Sequence, residues 1–391
     1  METESAPRSA PVITCQEAGS FAWSVLAERH PALVRKVRDA TPYPPERQRA
    51  LDALMAEVTD GVIAPLPEDA HGADRWARWG EGQLRRPWFE VPFLWSESYF
   101  YRRLLEAVGY FGPGPWQGLD PFAPFKAAEL DGPAVEAELA ALDALSGRPA
   151  DAQDQAMLSS ALWGNKADLG FQISSGDLDG KGEHLVADDG ALLWRHLDAS
   201  PPGPVYVLAD NAGRELLPDL LLIDRLLHTG RAAAVVLHVK PYPYYVSDAT
   251  TADVVACVRR IAQAPGRAGE IGARLHDALA GGCLLVRAHP FSCAPLPYAE
   301  MPPDLRADLA QATVTISKGD LNYRRLVGDR RWPATTPFAE LTAHFPSPLL
   351  ALRTLKSDVA VGLSESGLAA LDASGEDWRT SGTYAVIQFR P

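Results

Sequence analysis

Cysteine is scarce in this 391-residue chain: Cys15, Cys257, Cys283 and Cys293 are the four, far apart and with no Cys-x-x-Cys among them. That excludes a disulfide scaffold and a thiolate zinc or redox motif. With no secretory leader pattern at the start, a reducing cytoplasm is the expected address. Positive charge is also in deficit, since 37 Lys and Arg stand against 50 Asp and Glu for a net −13. Neither nucleic acid nor an anionic membrane is an expected partner, because both need a broad positive field. No apolar run approaches the roughly 20 residues of a membrane-spanning helix. No Gly-x-Ser-x-Gly elbow exists either, as Gly362-Leu-Ser364-Glu-Ser366-Gly367 has the wrong spacing, so serine hydrolase chemistry is not expected.

What is present is ordinary for a globular protein: 47% apolar and 22% charged residues, in a chain long enough for two structural units at roughly 100–200 residues each. The pattern predicts a mobile tail over 1–20, a helical region over 21–150, and an α/β domain over 151–391. One helix, Trp95 to Tyr110, is strongly aromatic; its Glu97 and Arg102 read either as site residues or as the solvated rim of a core stripe. The apolar helix ending in Leu162-Trp163-Gly164-Asn165-Lys166-Ala167-Asp168 places polar side chains at its end, where helix capping explains them as readily as ligand binding.

The centre of the chain is Val205 to Thr251. Two β-branched apolar runs of strand length each deliver acids just past their ends: Asp210 with Asn211 after the first, Asp248 after the second. In an open, mostly parallel sheet covered on both faces, the crevice beyond the strand ends is where ligands sit, so these residues can converge there. Two carboxylates and an amide oxygen suit Mg²⁺ or Mn²⁺. The competing reading is that all three merely cap the following helices, since capping uses the same residue types. Further strand ends carry cations, Lys240, Lys318, Arg324, Arg353 and Lys356, and the turn Lys318-Gly319-Asp320 has the small residue that a phosphate-cradling backbone needs. Any one of these reads as a surface ion pair, but the group beside two carboxylates points to an anionic substrate.

Asp210-Asn-Ala-Gly, Lys240-x-x-Pro-x-x-Val-Ser-Asp248, Lys318-Gly-Asp-Leu-Asn-Tyr-Arg and Arg353-Thr-x-Lys356, read in order, resemble the motifs of the damage-control phosphatases. The Arg-Thr-x-Lys motif is that of the subfamily which includes acidic-residue methyltransferase-like proteins. The resemblance takes in the Glu97 helix and the Asn165/Asp168 segment, and it implies a helical region on a three-layer α/β/α domain. It implies one divalent metal, Mn²⁺, Co²⁺, Ni²⁺ or Mg²⁺, held by Asp210, Asn211 and Asp248, with Lys318 in the catalytic group. It further implies that Asp320, Asn322, Tyr323, Arg324 and Lys356 contact the substrate's phosphate and sugar, with Glu97, Asn165, Asp168, Glu215 and Arg353 also in the substrate site. Three positions depart from the family pattern: Arg214 and Ser317 where aromatics are usual, and Tyr244-Tyr245 for Trp-Phe.

The expected function is hydrolysis of a small phosphorylated metabolite, a sugar phosphate such as fructose 1-phosphate. Two alternatives stand beside it. One is an S-adenosylmethionine-dependent carboxyl methyltransferase, which would ordinarily carry a glycine-rich loop that Asp210-Asn-Ala-Gly, with its single glycine, does not supply. The other is a silent sensor of metal and sugar phosphate.

Overall fold

The computed structural model describes residues 10–164 and 184–391. Its frame is a seven-stranded sheet made of β1 (Leu185–Asp188), β2 (Gly203–Leu208), β3 (Ala232–Val239), β4 (Leu284–Ala288), β5 (Val314–Lys318), β6 (Leu349–Thr354) and β7 (Ala385–Arg390). The spatial order is β1-β7-β6-β5-β2-β3-β4, and every pair is parallel except β6 with β7. Because β2 sits between β5 and β3, successive connections leave it in opposite directions. The carboxyl ends of β2, β3, β5 and β6 therefore share one edge, with the crossover gap between β2 and β5.

Side-chain alternation along β2 divides the molecule into layers. Val205 and Val207 enter one apolar core with the helices Pro133–Ser146, Ala150–Trp163, Leu216–His228, Thr251–Ala262 and Gly266–Gly281. Tyr206 and Leu208 enter the other, with the helices His30–Ala40, Pro45–Asp60 and Phe93–Val108 and with much of the C-terminal chain. A period of two on a strand buried on both faces gives this α/β/α sandwich.

Two differences from the sequence reading have plain causes. Residues 10 to 20, for which a mobile tail is predicted, are packed: Ile13 and Cys15 are buried, and short bridges tie Val12 to Arg330 and Thr14 to Pro92. A segment with no periodicity of its own is ordered here by partners far along the chain, Pro92 and Arg330. Strand β1 escapes detection because its four residues lie in a polar, glycine-rich context and its partner is the last strand of the chain. No helix among the described residues is long and apolar enough to cross a membrane.

Candidate active site

Strand β2 runs out at Leu208, and the chain passes through Asp210 and Asn211 before the helix Leu216–His228 begins. β3 likewise ends at Val239 and passes through Asp248 before the helix Thr251–Ala262. The two exits are stitched together: Asn211 bridges Asp248, Ala249 N–H donates to the Asp210 carbonyl at 2.8 Å, and Ala212 N–H donates to the Ser247 carbonyl at 2.6 Å. The convergence read from sequence is thus built by backbone hydrogen bonds.

Neither acid caps a helix. The helix from Leu216 has Glu215 at its N-cap with no side-chain cap bond, and the helix from Thr251 is closed by a capping box of Thr250 with Asp253. Asp210 and Asp248 are buried all the same, at 8% and 1% exposure. Burial, with Glu215 and Asp248 close by, pushes the Asp210 carboxyl well above the usual carboxylate range. Burial likewise raises Asp248, against the pull of Lys240. Buried acids that crowd one another with only partial compensation favour binding of either a proton or a cation.

Asn211 completes the donor set. Its amide nitrogen stands 2.9 Å from Glu215 Oε2 and 3.3 Å from Asp210 Oδ2; a half-turn of the amide presents the oxygen to the same place. Among the described residues no three His, Cys, Asp or Glu side chains are grouped so as to hold a metal by themselves, so the amide has to serve with the two carboxylates. The set is all hard oxygen, which fits a divalent cation of the Mg²⁺ or Mn²⁺ type.

Beside these acids lies a cavity of about 140 Å³ lined by Leu162, Trp163, Glu215, Lys318, Gly319, Leu352, Thr354 and Lys356. Lys318, from the end of β5, is held by Asp219 at 2.8 Å and by the Ala161 carbonyl. Burial raises Asp219 to about 6, against the pull of Lys318. Lys356, beyond the end of β6, reaches Glu215 Oε1 at 3.4 Å and keeps 42% of its side chain exposed. Burial opposes its charge, but Glu215, Asp210 and Asp320 outweigh that and raise its pKa. Gly319 has φ +81°, and a side chain there would overlap the Asp210 carboxylate, so glycine is what allows β5 to close on β2.

Among the described residues, the remaining predicted site residues do not line the cavity. Arg324 is buried between Glu97, at 2.8 Å, and Asp329, at 2.7 Å, over the Phe93 ring. Arg353 is fully buried on Asp320, at 2.7 Å, and on Ser357 and the Val359 carbonyl, over the Tyr323 ring. Burial works to raise Asp320, yet the Arg353 and Arg324 guanidiniums hold it low. Asn322 clips the Ala209 and Lys318 carbonyls at 3.1 and 2.9 Å, tying the ends of β2 and β5, while the Tyr323 hydroxyl donates to Gln388 at 2.7 Å. Glu97 and Arg102 are buried rather than on a solvated rim: Glu97 accepts from Arg324 and from the Tyr245 hydroxyl at 3.2 Å, and Arg102 holds Glu106 at 2.8 Å. An amphipathic stripe does not reveal that a second layer covers the polar side too. Asn165 and Asp168 lie outside the described residues.

Sequence reasoning misses Asp219 and Lys126. A signal for Asp219 was available, since it follows Glu215 by four residues on one helical face. Lys126 has none, because its partners Asp120, Asp248 and Asp253 meet it only in three dimensions.

Residues 25–371 match the family model described as the damage-control phosphatase ARMT1-like domain. Curated relatives include the damage-control phosphatase ARMT1 of Danio rerio, 31% identical with 95% of each chain covered, and that of Mus musculus, 30% identical over 96% of this chain and 98% of the relative. Among solved structures, a DUF89 family protein from Pyrococcus horikoshii shares the fold at a TM-score of 0.53 and 15% identity, covering 94% of this chain and 98% of that one. With a family model spanning most of its length and full-length relatives at this identity, the chain belongs to the ARMT1-like damage-control phosphatase family.

Proposed function

We propose that the protein is a metal-dependent phosphatase acting on small phosphate monoesters, sugar phosphates such as fructose 1-phosphate being the preferred class. The observation that carries this reading is the pairing of Asp210 and Asp248, buried and free of capping duty, with a small cavity lined by Lys318 and Lys356. Asp210, Asn211 and Asp248 hold the divalent cation. When bound, that cation supplies Lewis-acid polarisation of the phosphoryl oxygens.

The chain's own groups do the rest. Lys318 and Lys356 bind the phosphate oxygens with charge-assisted hydrogen bonds, which strengthen as negative charge builds on the transferring group. Asp219 fixes the Lys318 ammonium, and Glu215 orients Lys356. Leu162 and Trp163 exclude water from one wall and so strengthen each of these contacts. Arg324 and Arg353 act one layer back: the first sets Glu97, the second sets Asp320 and the turn that carries Lys356.

The test is phosphate release from a panel of sugar phosphates with Mn²⁺, Co²⁺, Ni²⁺ or Mg²⁺ in turn. Turnover that needs a divalent metal and is strongest on a ketose or aldose phosphate is the expected result. No release with any metal, alongside intact metal binding, would make the protein a sensor instead.

A further inference from the structure

Lys126 is one of the most heavily committed cations in the protein, and it lies outside every motif above. It sits in the helix Ala123–Leu130, its side chain 4% exposed. The ammonium donates to Asp120 Oδ2 at 2.9 Å, to Asp253 Oδ2 at 3.0 Å and to the backbone carbonyl of Asp248 at 2.8 Å. Those three acceptors use all three of its protons. Burial works against the charge, but Asp120 and Asp253 outweigh it and raise the pKa, so the group is a permanent cation.

We propose that Lys126 is a positioning residue for the metal site, a clamp that sets Asp248 from behind; this rests on the metal-dependent reading of that site. Three observations converge on it. Asp248 lies on an irregular connection between β3 and the next helix, outside any strand, where isolated bridges to Asn211 and between Lys240 and Thr250 hold the backbone and leave the Asp248 carbonyl for a side-chain partner. The Asp248 carboxylate is steadied by a local bond from the Tyr245 N–H at 3.1 Å, while its carbonyl is steadied by Lys126. The other anchor of Lys126, Asp253, is the residue whose carboxylate accepts from the Thr250 N–H and hydroxyl at 2.8 and 2.7 Å, so one ammonium joins the carbonyl of Asp248 to the cap two residues further on.

Asp120 and Asp253 take the other two protons of the ammonium, which meets Asp248 through its carbonyl. The clamp also ties together distant parts of the chain, because Asp120 and Lys126 lie more than a hundred residues before Asp248. That earlier segment therefore contributes directly to the geometry of a metal ligand.

The experiment is calorimetric titration of Mn²⁺ into the metal-free full-length protein, comparing wild type with Lys126→Met and Lys126→Arg, each first shown by circular dichroism to be folded. Outer partners that orient a metal ligand typically carry 10–100-fold in affinity, so Lys126→Met is expected to weaken Mn²⁺ binding by about tenfold or more, and Lys126→Arg to recover part of the loss. Arg225→Met is the control. It removes a cation from the Asp154 cluster elsewhere in the fold, where Arg225 Nε stands 2.7 Å from Asp154, and it should lower the melting temperature while leaving Mn²⁺ affinity unchanged. A folded Lys126→Met that binds Mn²⁺ within about twofold of wild type overturns the clamp. If Lys126→Met does not fold, Asp120→Asn decides, since it loosens the ammonium from one side and leaves both other bonds in place. A loss of about threefold then supports the clamp, and unchanged affinity overturns it. Wild type that binds no divalent metal sinks the functional reading itself, an outcome distinct from equal binding by wild type and variant.

Discussion

Two clusters of buried charge lie side by side at the carboxyl edge of this sheet, and they are built on opposite principles. Around Arg324, each acid is matched to a guanidinium that it bonds directly: Arg324 serves Glu97 and Asp329, and Arg353 next to it serves Asp320 and Ser357. Around Asp210 that match is missing: among the described residues no salt bridge reaches Asp210 or Asp248, Lys240 and Lys356 pull on Asp210 only from farther off, and burial drives both acids toward their protonated forms. A matched cluster needs nothing from outside and serves the fold. An unmatched one spends stability to hold a place for a cation, which is the mark of a site.

That contrast is easiest to break at its centre. Asp248→Ala should abolish metal-dependent phosphate release, by about a thousandfold or more in kcat/KM, since the cation's contribution amounts to several kcal/mol of transition-state stabilisation. Asp210→Asn should inactivate to a similar degree yet raise the melting temperature of the metal-free protein, because it removes a buried charge that repels its neighbours. A lower melting temperature in the absence of metal would show that the acids are not in conflict.

Arg324→Met tests the matched cluster and should have the opposite profile. It leaves Glu97 and Asp329 buried without their cation, an effect of about 3–5 kcal/mol in chemical denaturation. Unchanged stability, with a large rise in KM, would return Arg324 to the substrate.

Lys356→Ala comes next in size. Its pair with Glu215 is long and half exposed, so stability should move by about 1 kcal/mol or less. If the ammonium binds phosphate, kcat/KM should still fall by about 2–4 kcal/mol, read from steady-state rates at saturating metal. A loss below about threefold would remove Lys356 from the site.

The gentlest probe is pH. Asp210 and Asp248 have folded pKa values raised above their unfolded ones, so their contribution to stability is fully present below the ordinary carboxylate range and is lost as pH rises through the raised values. Metal-free wild type should therefore lose stability relative to Asp210→Asn as pH increases over that interval, in paired thermal melts with a chelator present. Mn²⁺ must displace the same protons, so its affinity should climb over the same interval. A pH-independent difference between the two proteins would contradict the raised values.

Much of this was readable from local pattern. The strands from β2 onward announce themselves as short β-branched runs, and the acids and lysines just past their ends follow from the rule that such sheets bind at their carboxyl edge. Arg324 and Arg353 show the limit of that rule. Arg324 lies in the helix that follows β5 and Arg353 is the last residue but one of β6, each near the edge that carries Lys318 and Lys356, but their guanidiniums turn into the protein, because buried Glu97, Asp329 and Asp320 wait there. A strand end fixes where a residue starts and leaves its side-chain direction to its neighbours.

What the sequence determined by itself, then, is the inventory and its placement along each element: alternation on β2 that sends Val205 and Val207 one way and Tyr206 and Leu208 the other, and the acids at the two central exits. These depend on the pleat and on chain direction, which residues a few positions apart control. Which charges find direct partners is set by packing between elements. Lys126 with Asp120, Asp248 and Asp253, or Arg324 with Glu97 more than two hundred residues away, meet because separate layers pack against one sheet. The worth of each such charge depends on how much water that packing removes, a quantity that belongs to the assembled layers and to no single stretch of chain.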